Sequence, residues 1–527
     1  MNEADNPASR PLIAEASQAS RSREVPPADG GLSRAVGIET EYGVASAHVR
    51  PVDDGTRPPL TPEESVNEIF RHTPQRHRSA HHFLSNGARL YVDIGSHPEY
   101  AGPECRTLAD VIAQDRAGDL ILARMVDIAN ASLAERADGK NPARIHLMKS
   151  NADAHGNTFG CHENYQVPRA GDFPVAGFVG FLAARQILTG SGRLTARDAR
   201  DTDAAAASPL GPMRYSARAA YMVASTSADP TAQRAFINTR DEPHADRSRW
   251  RRLHVLAGDS AVCEAGTALK VALGDAVLAM AETGAWDLAE CTLADPVEAT
   301  NRWNVDPRAA LERDGGGTIT CVDILGEVLE RIDAFWSRAG LRPDALTARA
   351  YDLARRGLTA LASGDASGVD RELDWAIKHR VLSHVADAAP GGWADPRVAR
   401  TELAYHDISA RSGLAAGLRR AGLMASWITD EDIERATTTP PAGTRAAIRG
   451  PFVQACERMG RLASIGWAHV RLDRPARPQI DLPDPLAFDS AEVRDLVEEI
   501  YRLGPSGPEP EPPSPAPTKA VPRPRRA

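Results

Sequence analysis

The sequence predicts an α+β protein, with a main domain that mixes short strands with longer helices and a small C-terminal domain after it. Three observations predict it. Short segments of alternating residues recur between long segments whose apolar residues return at helical spacing. The chain has 527 residues, 42% of them apolar, ample for one large buried core and a smaller one. Pro440, Pro441 and Gly443 then punctuate it before a last unit, Arg445 to Arg502, which sets a boundary near residue 438.

The elements follow in order. Residues 1–33 are polar, rich in Ala, Ser, Pro and Arg, and carry no apolar leader; a disordered extension on a soluble, cytoplasmic protein is expected. The first strand is read in Arg34 to Ala45, where Gly37, Glu39, Glu41 and Gly43 share one face. The second lies in Asn86 to Tyr100. Leu90, Val92 and Ile94 form its apolar face, with Arg89, Tyr91 and Asp93 opposite, and the turn after Gly95 brings Glu99 back to the same region.

Cys105 to Leu133 repeats at helical spacing. A third strand is read in Phe159 to Val167, with His162, Asn164 and Gln166 alternating against Cys161, Glu163 and Tyr165. Phe173 to Leu188 is apolar but too short for a membrane span, so a buried helix is expected. In Ile237 to Asp246, an extended chain would place Asn238, Arg240, Glu242 and His244 on one face. Ser260 to Met280 and Val322 to Ala362 are helical, the latter broken at Pro343. From Gly504 the Pro-rich, basic-ended tail, residues 504–527, is expected to be extended and unfolded.

Composition narrows the function. Six scattered cysteines with no C-x-x-C pair argue against a disulfide framework or a thiolate zinc site. A net charge of −9 argues against a nucleic-acid binder. Only five of the 62 basic residues are lysine. GC-rich codon usage accounts for that, although an enzyme acting on lysine amines would also gain by offering few of its own.

Taken singly, each strand's acids, Arg or His read as a solvated face. Four such segments together describe a sheet with one polar face rich in Glu, Arg and His. Carboxylates suit magnesium, which wants hard oxygen ligands and bridges phosphates, and Arg suits the phosphates themselves. No P-loop and no strand-borne G-x-G-x-x-G is present. The residues alone therefore point to a magnesium–nucleotide site on a sheet, with Asp93 as a possible base, and name no substrate.

The stretches GIETEYG, NGARLYVDIGSHPEYAGPEC, GNTFGCHENY, INTRDEPHAD, RRLHVLAGDS, LDWAIKHR, LAYHDI and TRAAIRG, spread over about residues 34 to 475, closely resemble the Pup ligase family of actinobacteria and its sister branch, the Pup deamidases/depupylases. The resemblance implies a glutamine synthetase-like fold: a curved, largely antiparallel sheet backed by helices (34–438), then a small C-terminal domain (439–503). It implies that Glu39, Tyr91, Glu99, His162 and Glu242 hold Mg2+. It implies that Arg89, Asn164 and Arg240 contact ATP, that Trp467 closes over the nucleotide and that Asp93 is the catalytic base. Gly102 stands where the ligase pattern tends to have Thr, so only its backbone could serve the nucleotide.

The implied activity is ATP-dependent phosphorylation of the C-terminal glutamate of Pup, then isopeptide formation with a lysine of a substrate protein, marking it for proteasomal degradation. A monomer is expected. GIETEYG, DIGSHPEY, GCHENY and the short interval from Glu39 to Arg89 are ligase-like; Tyr42 in EYG is the one depupylase-like detail. The alternatives are depupylase or Pup deamidase and, further off, a small-molecule carboxylate–amine ligase.

Overall fold

A computed structural model describes residues 27, 29–52, 58–71, 81–153, 156–171, 173–195, 208–229 and 234–506. Most of the two termini expected to be disordered lies outside these residues. The described end of the N-terminal extension is nevertheless packed against the main domain. Leu32 is buried in the main core, and the Ser33 hydroxyl donates to Asp275 at 2.6 Å.

The strands that build the site are β1 (Val36–Glu41), β2 (Gly43–His48), β3 (His82–Phe83), β4 (Arg89–Asp93), β5 (His97–Ala101), β6 (Ala143–Met148), β7 (Cys161–Pro168), β8 (Ala224–Ser227), β9 (Ala235–Asn238) and β10 (Trp250–Val255). Eight of them form one sheet in the order β8-β9-β10-β7-β1-β5-β4-β3, antiparallel except for the β8–β9 pair. The expected α+β fold, a largely antiparallel sheet backed by helices, is the one the chain adopts.

The first predicted strand is two strands. Tyr42, wholly buried with its hydroxyl donating to Asp119 at 2.6 Å, ends β1, and the chain leaves the sheet to pair β2 with β6. Gly43 therefore does not share the face of Glu39 and Glu41. On β1, Val36, Ile38 and Thr40 are buried on the helix side. On β7, Cys161, Glu163 and Tyr165 are buried as the alternation required. Glu163 is tolerated there because Arg185 grips it at 2.6 and 2.8 Å; removing one partner of such a buried pair costs about 3–5 kcal/mol.

The backing helices are α1 (Leu108–Arg136), α2 (Val175–Leu188), α3 (Glu264–Glu282), α4 (Cys321–Ala339) and α5 (Ala345–Ser363). Thr107 caps α1 by accepting from the Asp110 N–H at 3.1 Å. The helix starts after Cys105 because that residue bridges back to Val36. α2 is buried from Gly177 to Leu188. The break expected at Pro343 is there: Gly340 ends α4 with φ 63°, and Asp344 caps α5 by accepting from the Thr347 N–H at 2.8 Å. No helix among the described residues is long and apolar enough to cross a membrane.

A last unit holds the helix α6 (Ala446–Met459), three short strands (Ala463–Gly466, His469–Leu472 and Ile480–Asp481) and the helix α7 (Ala491–Leu503). It has its own apolar cluster, with Phe452, Val470, Leu472, Leu496 and Ile500 at its centre. One expectation for β4 fails. Leu90 is buried, but Val92 is 42% and Ile94 75% exposed, because β3 is only two residues long and pairs no further than Arg89 and Leu90.

Candidate active site

Register places the functional side chains in rows across the sheet, since directly opposed residues share a face. Glu39 opposes His162 on β7 and Ala101 on β5, and Ala101 opposes Arg89 on β4. One step along, Glu41 opposes Glu99, which opposes Tyr91. One step the other way, Gly37 opposes Asn164, which opposes His254. Residues scattered from 37 to 254 in the chain thus meet on one face.

Two groups of donors emerge, each with ligand atoms within 4.8 Å of one another: Glu39 with His162 and His254, and Glu41 with Asp93 and Glu99. Glu39 accepts from the Asn164 amide at 3.1 Å and lies 3.2 Å from His162 Nδ1 and 3.5 Å from His254 Nε2. Burial alone would raise its pKa, but the hydrogen bonds of the two imidazoles hold it well below the usual carboxylate range. Burial pushes His254 down to about 4 against the pull of Glu39, so it is neutral at pH 7.

The second group is crowded with like charge. Burial, with Glu39 and Glu41 nearby, holds Glu99 well above the usual range, although Tyr91 donates to it. Burial and then Glu41 also raise Asp93.

Among the described residues, several buried polar atoms on this face have no hydrogen-bond partner: Glu99 Oε1, Arg89 Nε and His254 Nδ1. Unmade bonds of this kind are costly, and a hard divalent cation with its phosphate ligands would satisfy them. The donor set therefore fits magnesium.

Beside these rows a cleft is lined by Gly37, Glu39, Gly102, Asn164, Arg252 and Trp467, among others. Arg252 donates to Asn164 Oδ1 at 2.9 Å and to the Glu242 carbonyl at 3.0 Å, and lies 3.8 Å from Glu39. Gly102 reaches the cleft, but its N–H is taken by the Ile38 carbonyl at 2.8 Å, which leaves its carbonyl.

Trp467 reaches the same cleft from the last unit, edge-on to Phe83 at 5.1 Å, and Arg449 of α6 supports it by donating to its carbonyl at 3.0 Å.

The structure thus brings together Glu39, Arg89, Tyr91, Asp93, Glu99, Asn164 and His162 on the sheet, with Gly102 and Trp467 at the cleft. Arg240 and Glu242 stand apart. The chain is not extended from Ile237 to Asp246; β9 ends at Asn238, whose side-chain oxygen accepts from the Arg240 N–H at 2.9 Å and turns the backbone. Arg240 and Glu242 are more than a third exposed and pair with each other at 2.5 Å. Glu242 belongs to neither donor group and, among the described residues, meets the site through Arg252, at 3.5 Å. Sequence reasoning assigned no role to Arg252 or His254, although they alternate with buried Leu253 and Val255 on β10.

A sheet face with one acid-and-imidazole group and one all-carboxylate group beside a cleft has the donor chemistry of a protein that could hold a divalent metal against a polyanion. Comparison with known proteins narrows the class. The family model for Pup-ligase protein matches residues 34–471. A Pup–protein ligase of Sanguibacter keddieii is 39% identical over 471 residues, 89% of this chain and 99% of that relative. One from Mycolicibacterium smegmatis is 38% identical over 469 residues, 88% and 99%.

Among solved structures, the complex between prokaryotic ubiquitin-like protein Pup and its ligase PafA superimposes with a TM-score of 0.80 at 34% identity, covering 91% of this chain and 94% of that one. The Pup ligase PafA in complex with ADP gives 0.74 at 33%, covering 87% and 98%. The chain belongs to the Pup ligase family.

Proposed function

We propose that this chain is a Pup–protein ligase: it uses ATP to join the C-terminal glutamate of Pup to lysines of other proteins. The observation that carries the reading is the register of β4, β5, β1 and β7, which puts Arg89, Glu99, Glu39 and His162 on one face in a chain whose solved relatives were seen with ADP and with Pup.

Magnesium, when bound, offsets the charge of the transferring phosphoryl group. Glu39, Tyr91, Glu99 and His162 are assigned to hold it, with neutral His254 beside them and Glu242 reaching the site through Arg252. Arg89, Asn164 and the Gly102 carbonyl are assigned to the nucleotide, and Trp467 to its cover. Arg240, exposed and paired with Glu242, would have to swing inward to serve.

The γ-carboxylate of Pup's terminal glutamate takes the phosphoryl group, and the lysine amine then displaces phosphate from the acyl carbon. A lysine amine is protonated at neutral pH, so a base is needed, and Asp93 stands at the edge of the acid group to receive the proton. We also read the last unit, residues 439–503, as a separate domain that carries Trp467. A reducing, cytoplasmic setting suits six cysteines that are all buried and unpaired.

The test mixes the purified protein with Mg-ATP, Pup ending in Glu and a lysine-bearing acceptor. A Pup-sized upward shift that requires ATP, with matching ADP and phosphate release, supports the ligase. Cleavage of a preformed conjugate without any such shift would assign the chain to the depupylase branch instead.

A further inference from the structure

The proposed function assigns residues to the metal and phosphates of ATP but gives the base no polar partner. β7 carries His162, Asn164 and Gln166 in alternation, stepping away from the acid groups. Four strand residues, about 13 Å, separate His162 from Gln166. An extended nucleoside triphosphate with its terminal phosphate near His162 would carry its base at that distance.

Gln166 is 8% exposed and lines the cleft. Its backbone is fixed, the N–H donating to the Ala35 carbonyl at 3.0 Å and the carbonyl accepting from Arg34 at 3.3 Å. Its side-chain oxygen accepts from the Ala35 N–H at 3.4 Å. That N–H can only donate, so the amide oxygen must be the atom facing it. The other end of the amide, Nε2, has no hydrogen-bond partner among the described residues. A buried donor left unmade is costly, and a ligand that accepts from it recovers the cost.

The surroundings suit a base better than a phosphate. Pro243, Ala245 and Pro485 line the same cleft and offer no side-chain donor, and Trp467 reaches it from the last unit. Two cations that also line it are already engaged: Arg252 by Asn164 and Glu39, and Arg445 by Glu104. What remains is a neutral donor between apolar walls. A purine offers the matching surface, flat apolar faces with accepting nitrogens on the ring edge.

We infer that Gln166 reads the base of the nucleotide, its side-chain amide donating to one accepting ring nitrogen of adenine. The inference rests on the proposed function. A C–H in place of that nitrogen leaves Nε2 buried and unpaired, and an N–H there sets donor against donor. Gln166 is thus a specificity residue at the far end of the row that begins at His162.

The experiment measures binding of ADP and its 1-deaza, 3-deaza and 7-deaza analogues to the full chain with magnesium, by calorimetry. The native chain should bind one analogue about 5–100-fold more weakly than ADP. Gln166→Met keeps the side chain's length but cannot donate. In that variant ADP should weaken by a similar factor, and the penalised analogue should bind as well as ADP. Equal binding of all four ligands by the native chain overturns the inference, as does the same penalty persisting in Gln166→Met. The native series alone can overturn it, so the test stands even if the variant does not fold. If the native chain binds neither ADP nor any analogue, the proposed function itself fails and the inference falls with it.

Discussion

Arg449 donates to both carboxylate oxygens of Glu104, at 2.7 and 3.5 Å, with its own side chain wholly buried. The same guanidinium donates to the Gly87 carbonyl at 2.8 Å and the Trp467 carbonyl at 3.0 Å. Gly87 lies just before β4 and Glu104 just after β5, so one residue of the last unit grips both ends of the hairpin that carries Arg89, Tyr91, Asp93 and Glu99. Thr444 and Arg445 add to it, donating to the Glu104 carbonyl and carboxylate, both at 2.7 Å. The TRAAIRG stretch is a fastener between the last unit and the sheet.

Arg449→Met should therefore destabilise the chain by about 3 kcal/mol, since it leaves Glu104 buried beside Arg445 alone. Because Trp467 loses its support, the KM for ATP should rise more than kcat falls. Arg449→Lys should rescue little, because an ammonium cannot reproduce the planar fork. Denaturant unfolding and steady-state kinetics check both statements.

The same contact fixes a pH dependence. Burial alone would raise the Glu104 pKa, but Arg449 and Arg445 outweigh it and hold the group at about 2, below its ordinary 4.5. A depressed carboxyl stabilises the fold above its unfolded pKa and loses that contribution as pH falls. Between pH 4.5 and about 2, the denaturant midpoint should fall more steeply for the native chain than for Glu104→Gln. Equal slopes would show that the contact contributes no pH-linked stability.

Asp93→Asn should lower ligation by about 10²–10⁴-fold while leaving nucleotide binding largely intact. Product gels paired with a fluorescent-nucleotide titration separate the two effects. Unchanged turnover would remove Asp93 from the role of base.

His254→Gln should raise the magnesium concentration needed for ADP binding by about 10–100-fold, the cost of losing a neutral imidazole beside Glu39 and His162. Magnesium titration of ADP affinity reads this without requiring turnover. Arg252→Lys should weaken ATP binding, because the Arg252 guanidinium reaches Glu39, Asn164 and Glu242 together.

Where alternation has one dry side, the sequence is a sound guide. Val36 and Ile38 on β1, and Cys161 and Tyr165 on β7, are buried against helices, so their neighbours could only face the site. The segment after Ile237 misled because its polar residues alternate without a buried counterpart, and Asn238 bends the chain instead. His244, with φ 48°, confirms how far that loop departs from a strand. Val92 and Ile94 misled in the opposite sense, since alternation cannot reveal that the neighbouring strand is too short to support a covering layer. Arg252 and His254 carried a legible signal, an Arg and a His alternating with Leu253 and Val255. What makes them functional is their register against β7, which is long-range information.

That register has an evolutionary consequence, which is a matter of parity. One residue inserted within β1 would turn Glu39 towards the helices and bring Ile38 to the site, so the strands tolerate no odd change in length. The connections between them carry no such constraint. The stretches between β2 and β3, or between β8 and β9, can lengthen or shrink without moving any donor across the sheet. Length variation among related chains should collect in the loops, while each strand keeps its count.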